Sequence, residues 1–99
     1  MHDVVKIEIV IGKSHLDVVV DALNALGVPG LTILDTLAGY GDRGAREGGE
    51  LSDAMVNRYV LTTCRPDQID EFSSKLEPIL RRYGGLCLLS DAKVIRDEA

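Results

Sequence analysis

The sequence predicts an α+β fold in which two β-α-β halves share one antiparallel sheet, with both helices on one side of it. Three observations support this prediction. Apolar and polar residues alternate near the N-terminus, apolar residues recur twice at spacings of three and four, and further short β-type segments flank both helical stretches. The 99 residues have the length of one domain, 1–99, with a single hydrophobic core.

The first half begins and ends with a strand. The first strand is predicted over residues 4–12, because its side chains alternate between two faces. One face is apolar and the other polar; the apolar face carries Val5, Ile7, Ile9 and Ile11, and the polar face carries Lys6 and Glu8. The second strand is predicted over residues 31–37.

A helix is predicted between these strands. Ser14 is the expected N-cap, with Asp17 three positions further on, as in a capping box. The apolar residues that follow recur at helical spacing and define one buried stripe: Leu16, Val19, Val20, Leu23 and Leu26. Gly27 is expected to end the helix in the left-handed conformation.

The second half repeats this order. A strand is predicted over residues 55–64, and Pro66 suits the first turn of the helix that follows. The apolar stripe of that helix consists of Ile69, Phe72, Leu76, Ile79, Leu80 and Tyr83. Gly84 and Gly85 are expected to end it. Residues 86–89 are predicted to form a short buried strand, which residues 92–96 extend or pair with.

The predicted order β-α-β-β-α-β is that of a ferredoxin-like sandwich. The sheet face turned away from the helices would carry Lys6, Glu8, Val10 and Thr32, and it is too apolar in places to face water. We therefore expect an oligomer that covers this face. Fold alone does not determine function, since this architecture serves many.

Composition excludes several classes of function. The net charge of −5 and the pI near 4.8 argue against a nucleic-acid partner, since phosphate binders are usually basic. The sequence contains no apolar run of about 18 residues, the length that a membrane span requires. The first residues lack the pattern of a signal peptide, and Cys64 and Cys87 form no CxxC pair. A reduced, cytoplasmic protein is the expectation.

The residues give little support for catalysis. The two histidines, His2 and His15, lie near the N-terminus, where both are expected to be exposed polar residues. His15 and Asp17 are two positions apart and would face different sides of a helix, which argues against a metal pair. Cys64 and Cys87 fall on predicted strands and are interpreted as core residues. We therefore expect a non-enzymatic protein without a metal site.

The stretch 38–53 carries the strongest functional signal. It contains five of the ten glycines and few aliphatic residues, so it is predicted to be a long loop, and loops of this length are often functional. Its glycine backbone favours close approach to an anion, and Arg43 and Arg46 can add bidentate bonds. Gly84 and Gly85 form a second candidate anion nest. A solvated loop and a plain helix stop remain the respective alternatives.

Three motifs resemble the PII signal-transduction family. Residues 27–33, GVPGLTI, are similar to that family's G-I-x-G-M-T-V, and Gly39-Tyr40-Gly41 is similar to its G-F-G at the mouth of the T-loop. Residues 90–96, SDAKVIR, are similar to its D-V-A-R-V-I-R. The resemblance implies a homotrimer that binds adenine nucleotides in clefts between subunits. It also implies a T-loop, about residues 38–54, that engages a target protein.

The resemblance further implies a set of nucleotide-binding residues. Thr32 would lie beside the base, and Gly39, Tyr40 and Gly41 would wrap the nucleotide from the T-loop root. Three residues match the B-loop on the phosphate side: Gly84, Gly85 and Leu86. Arg96 matches an arginine that reaches a phosphate across the subunit boundary.

Three departures distinguish this chain from classical members of the family. Gly85 stands where they carry a lysine, which argues against a contact with the third phosphate of ATP. Residues 44–53 contain no tyrosine for uridylylation, and one extra residue separates Thr32 from Gly39. These departures indicate the PII-like branch, whose members are encoded with bicarbonate transporters or carboxysomes and bind AMP, ADP or cyclic AMP.

Residues 35–46 are similar to those PII-like proteins, and this resemblance suggests Arg43 and Arg46 as anion- or bicarbonate-binding residues. The expected protein is a trimeric sensor that binds ADP or AMP, with or without bicarbonate. Its expected target is a membrane bicarbonate transporter or a carboxysome-related protein. The choice among ADP, AMP, ATP and cyclic AMP stays open.

Three alternatives share the topology. The first is a classical PII regulator of nitrogen metabolism. The second is an acylphosphatase-like hydrolase, which needs an arginine loop directly after the first strand, whereas residues 11–14 supply only Lys13. The third is a trimeric divalent-metal-tolerance protein, which needs a ligand cluster that isolated histidines and cysteines do not make.

Overall fold

A computed structural model describes residues 1–36 and 56–96 of the protein. Among these residues it contains four strands and two α-helices, in the order β1 (His2–Gly12), α1 (Leu16–Ala25), β2 (Thr32–Thr36), β3 (Asn57–Cys64), α2 (Ile69–Tyr83) and β4 (Gly85–Val94). Each helix is preceded by one 3-10 turn, over Lys13–His15 and Pro66–Gln68. The predicted order of elements is confirmed.

The four strands form one antiparallel sheet in the order β2-β3-β1-β4. The longest strand, β1, is central, and its Ile9 lies opposite Val60 of β3 and Cys87 of β4. This is the sheet of a ferredoxin-like α+β sandwich, so the predicted fold class is confirmed. Because neighbouring strands are antiparallel, β1 and β2 end where β3 and β4 begin. We call this side of the sheet, where Thr36, Asn57 and Gly12 also lie, the Gly85 end of the sheet.

The core lies between the sheet and the two helices. Ile7, Ile9 and Ile11 of β1 are at most 1% exposed, as the alternation of the first strand predicts. They belong to one cluster with residues from both helical stripes, namely Val19, Ala22, Leu23, Phe72 and Leu76. Burial of each large aliphatic side chain contributes about 1.5–3 kcal/mol to folding, so this cluster is the main source of stability.

The start of α1 differs from the prediction. Ser14 does not cap the helix, because residues 13–15 form a 3-10 turn and His15 takes the N-cap position without a side-chain hydrogen bond. The turn begins where the Lys13 N–H donates to the Val56 carbonyl at 2.9 Å, which places Ser14 inside the turn. The end of α1 is as predicted: Gly27 has a φ of +76° and donates its N–H to the Asn24 carbonyl at 3.1 Å.

The last strand also differs from the prediction. Residues 86–89 were expected to form a short buried strand that residues 92–96 extend or pair with. One continuous strand, β4, extends from Gly85 to Val94, but it lies at the edge of the sheet and is not buried. Because only β1 pairs with β4, several of its side chains are left uncovered, and Leu86 and Leu88 are each 51% exposed. The prediction failed because it took an apolar run as a sign of burial within the monomer.

The sheet surface that faces away from the helices is rich in leucine. Residues that are paired across neighbouring strands form two adjacent rows on this surface. One row consists of Leu34, Tyr59, Val10 and Leu86, and the next includes Leu61, Glu8 and Leu88. We call these residues the outer sheet face. Leu34 is 54% exposed, so this face presents apolar surface to its surroundings, as the sequence predicts. No helix among the described residues is long and apolar enough to cross a membrane.

Candidate functional site

The sheet topology brings two of the predicted site segments to one place. Thr36 and Asn57, which flank residues 37–55, are paired with each other at the Gly85 end of the sheet. Gly85 is paired with Ile11 at the same end, directly after α2. The Gly84–Gly85 turn therefore lies at the same end as both attachment points of the predicted T-loop.

The backbone of this turn favours glycine at both positions, for different reasons. Gly84 ends α2 with a φ of +72°, and its N–H donates to the Leu80 carbonyl at 2.9 Å. A Cβ atom on Gly85 would lie 3.0 Å from the Val10 carbonyl oxygen and 3.0 Å from Leu80 Cδ2. A lysine at position 85 would therefore require the backbone to shift. Leu86 follows on the outer sheet face.

An ion pair joins the two strands at this end. Arg58 Nε donates to Asp35 Oδ1 at 2.9 Å, and these residues are opposite each other on β3 and β2. The Arg58 side chain is 13% exposed and the Asp35 side chain is 72% exposed. The positive charge of a mostly buried arginine is therefore balanced by a carboxylate at the surface. Sequence reasoning did not identify Arg58; the available signal was a charged residue at an inward-facing position of a predicted strand.

A second contact joins the two helices next to the Gly84–Gly85 turn. The ring of His15, before α1, stacks on that of Tyr83, the last residue of α2, with centroids 4.4 Å apart and planes at 26°. The Arg82 guanidinium lies 5.3 Å from the centre of the Tyr83 ring. His15 is half-buried, so the expectation that it is an exposed polar residue was wrong. The stack joins residues distant in sequence, which helical spacing could not reveal.

The other predicted nucleotide contacts lie apart from this turn within one chain. Thr32 begins β2 on the exposed sheet surface, opposite Leu61. Arg96 is exposed and follows the end of β4, so it is at the opposite end of the sheet from Gly85. Five of the predicted residues lie outside the described residues: Gly39, Tyr40, Gly41, Arg43 and Arg46. A site that joined Arg96 to Gly85 would need more than one subunit.

A polar cluster crosses the outer sheet face. The Tyr59 hydroxyl donates to Glu8 Oε2 at 2.9 Å, and Lys6 Nζ lies 3.3 Å from Glu8 Oε1. The Tyr59 hydrogen bond, followed by that of Lys6, lowers the pKa of the Glu8 carboxyl below its ordinary value. The same hydrogen bond raises the pKa of Tyr59, because ionising the phenol would remove its donor. Glu8 is therefore ionised and partnered at neutral pH.

The described residues show little sign of covalent or metal chemistry. No group of three or more His, Cys, Asp or Glu side chains within 1–36 and 56–96 is placed to hold a metal ion. Burial raises the pKa of the Cys64 and Cys87 thiols, which disfavours the reactive thiolate. One open groove, at the opposite end of the sheet from Gly85, is lined by Asp3, Pro66, Asp91 and their neighbours. It does not include any of the predicted site residues.

Comparison with known proteins gives both a family and a set of similar structures. No curated protein matches the chain. Among solved structures, the chain is similar to CPII, a nitrogen regulatory PII-like protein from Thiomonas intermedia K12, bound to ADP, AMP and bicarbonate. The TM-score is 0.82 at 23% identity, over 96% of this chain and 91% of that chain.

Two further structures extend this similarity. CPII from the same organism bound to ADP and bicarbonate gives a TM-score of 0.79 at 25% identity, over 96% of this chain and 91% of that chain. A PII-like signalling protein from Thermus thermophilus gives 0.76 at 19% identity, over 95% and 91%. The family model of nitrogen regulatory protein P-II matches residues 4–99, nearly the whole chain. The protein therefore belongs to the P-II family of signalling proteins.

Proposed function

We propose that this protein is a non-enzymatic sensor that binds ADP or AMP in clefts between the subunits of a homotrimer, together with bicarbonate. Through residues 38–54 it would regulate inorganic-carbon uptake by binding a membrane bicarbonate transporter or a carboxysome-related target. The observation that carries this proposal is the similarity over 96% of the chain to a PII-like protein bound to ADP, AMP and bicarbonate.

The outer sheet face supports the oligomer. Leu34, Leu86 and Leu88 are each more than half exposed in the single chain, which is unusual for three leucines on one surface. A second copy of the chain would cover them with matching apolar surface, as subunit interfaces commonly do. The Glu8–Tyr59 hydrogen bond already gives the carboxylate a partner within the chain. Covering the face would thus leave this carboxylate paired.

The separation of the predicted contacts supports a cleft between subunits. Gly85 begins β4, and Arg96 follows its far end, so these two residues are separated by the length of a ten-residue strand. At about 3.4 Å per residue this distance is roughly 30 Å, too far for one nucleotide to touch both in one subunit. In a symmetric oligomer, Arg96 of one subunit would approach the Gly84–Gly85 turn of another.

The Gly84–Gly85 turn supports a preference among nucleotides. A side chain at position 85 would be crowded by the Val10 carbonyl oxygen, and glycine there supplies no cation to a third phosphate. ADP and AMP are therefore preferred over ATP, and cyclic AMP is included in the test. If ATP bound more tightly than ADP, a classical regulator of nitrogen metabolism would be the better interpretation.

Calorimetric titration tests this function. The purified protein is titrated with ADP, AMP, ATP and cyclic AMP, each in bicarbonate and in chloride of matched ionic strength and pH. We expect ADP or AMP to bind, and to bind about 5- to 150-fold more tightly in bicarbonate, the usual range for coupled sites. The absence of binding for all four nucleotides would refute the nucleotide sensor.

A variant tests the predicted anion site. Arg46→Ala is expected to weaken ADP or bicarbonate binding and to leave the oligomer intact. Arg81→Ala is the matched control, because Arg81 is an exposed arginine on α2 that pairs with Glu77. Equal affinities in the two variants would remove the role assigned to Arg46. Release of phosphate from ATP or an acyl phosphate is expected to be negligible, and rapid release would favour the hydrolase alternative.

A further inference from the structure

The His15–Tyr83 stack lies next to the Gly84–Gly85 turn but belongs to none of the predicted nucleotide contacts. Tyr83 is the last residue of α2, and Gly84 follows it directly. The two rings are 4.4 Å apart at centroids and nearly parallel, which is a favourable aromatic geometry. The stack is thus a contact from the α1 side of the molecule to the last turn of α2.

The position of this last turn determines the position of the Gly84–Gly85 backbone. The Gly84 N–H is bonded to the Leu80 carbonyl, one turn earlier in α2. The Leu80 side chain also lies against Gly85, since a Cβ there would be 3.0 Å from Leu80 Cδ2. A shift of the last turn of α2 would therefore move both glycines.

The other side of the stack is itself held in place. His15 ends the 3-10 turn that begins at Lys13, and the Lys13 N–H donates to the Val56 carbonyl at 2.9 Å. The His15 ring is also near the end of β1, since a Cβ built on Gly12 would lie 3.9 Å from His15 Cδ2. The backbone that carries His15 is therefore fixed to the end of β1, which it follows, and to the residue that precedes β3. The imidazole can thus act as a fixed support for Tyr83.

We propose that His15 is a positioning residue for nucleotide binding: by stacking on Tyr83 it holds the Gly84–Gly85 turn in its binding geometry. This inference rests on the proposed function, because it assigns the turn to the nucleotide. Aromatic pairs contribute enough to change an affinity about twofold to tenfold, so the loss of the stack is expected to weaken ADP binding within that range.

The test compares ADP affinities, measured by calorimetry on the full chain, for variants that remove or retain the stack. His15→Ala removes one ring, and Tyr83→Leu removes the other while retaining apolar bulk. His15→Phe retains a stacked ring without the imidazole, and Ser14→Ala is a control on the same turn. We expect the first two variants and their double variant to lose affinity to a similar extent. His15→Phe and Ser14→Ala should bind as the wild type does.

The outcomes separate the inference from the proposed function. If wild type binds ADP and His15→Ala binds equally well, or His15→Phe binds as weakly as His15→Ala, the positioning role is overturned and the sensor function stands. Additive losses in the double variant would also overturn it, because they would show that the two rings act independently. If wild type does not bind ADP, both the proposed function and the positioning role fail. Should His15→Ala not fold, Tyr83→Leu and His15→Phe still make the comparison.

Discussion

Alanine at Gly85 is expected to destabilise the protein more than alanine at Gly30. The added Cβ would lie 3.0 Å from the Val10 carbonyl oxygen, closer than an ordinary van der Waals contact of 3.4–4 Å. Leu80 Cδ2, also at 3.0 Å, can move as the end of a flexible side chain, but Val10 lies in the β1–β4 ladder opposite Leu86. The strain must therefore be taken up by the backbone.

The magnitude follows from two opposing terms. Overpacking of this kind costs about 1–3 kcal/mol, and the reduced flexibility of the unfolded chain offsets about 0.4–1 kcal/mol. Subtracting the middle of the second range from the middle of the first leaves a net loss for Gly85→Ala of about 1.3 kcal/mol. Gly84→Ala would place a Cβ at a φ of +72° and a ψ of 128°, a backbone conformation almost confined to glycine, and cost about 1–3 kcal/mol, whereas the Cβ of Gly30→Ala would meet no atom within 4 Å. Gly30→Ala should thus be neutral or slightly stabilising.

Thermal unfolding followed by circular dichroism checks this order. One kcal/mol shifts the Tm of a domain of this size by about 4–8 °C, so Gly85→Ala should unfold about 5–10 °C below wild type. All proteins are compared at one concentration, because oligomerisation makes the Tm depend on it. A Gly85→Ala protein that unfolds at the same temperature as Gly30→Ala would refute the steric argument.

Three further predictions concern the core and the outer sheet face. Thr62→Val removes the buried hydroxyl that donates to the Gly30 carbonyl at 2.5 Å, and urea unfolding should show a loss of about 0.5–1.5 kcal/mol; an unchanged free energy of unfolding would contradict this contribution. Tyr59→Phe removes the largest cause of the depressed Glu8 pKa, so an NMR titration should show that pKa rising; no change would contradict the hydrogen bond. A carboxyl whose pKa is depressed on folding stabilises the protein at pH values above its ordinary pKa, and this stabilisation is lost as the pH falls through the depressed value. Between these two pH values, Tyr59→Phe should therefore lose less stability on acidification than wild type does. Leu88→Glu should dissociate the proposed trimer in sedimentation velocity runs, since it buries a charge at the subunit contact; an intact trimer would show that another surface is used.

The sequence was a reliable guide where one face of an element packs on the core. Ile7 and Ile9 alternate with polar residues because one side of β1 is covered by helices, and this pattern is local. The stripes of α1 and α2 were predictable for the same reason. The end of α1 was also predictable, since Gly27 takes the positive φ that favours glycine.

Features that depend on distant residues were not predictable in the same way. The 3-10 turn before α1 depends on a hydrogen bond from Lys13 to Val56, so the local capping pattern at Ser14 was misleading. The stack of His15 on Tyr83 likewise depends on how the helices pack. The apolar run in β4 was taken as buried because sequence cannot distinguish a surface covered by its own chain from one left for a partner. The residues of the predicted T-loop lie outside the described part of the chain, so their contacts stay predictions.

The pairing at the Gly85 end of the sheet has a consequence for how this protein can diverge. The ladder between β2 and β3 continues to Thr36 and Asn57, and the Arg58–Asp35 ion pair ties these strands together one residue before that. The connection between them starts and ends at neighbouring, fixed points. Doubling the length of such a connection costs only about 0.6 kcal/mol of closure entropy. Insertions and substitutions in residues 37–55 can thus accumulate without unfolding the domain, and the length of this connection can change while the framework stays unchanged.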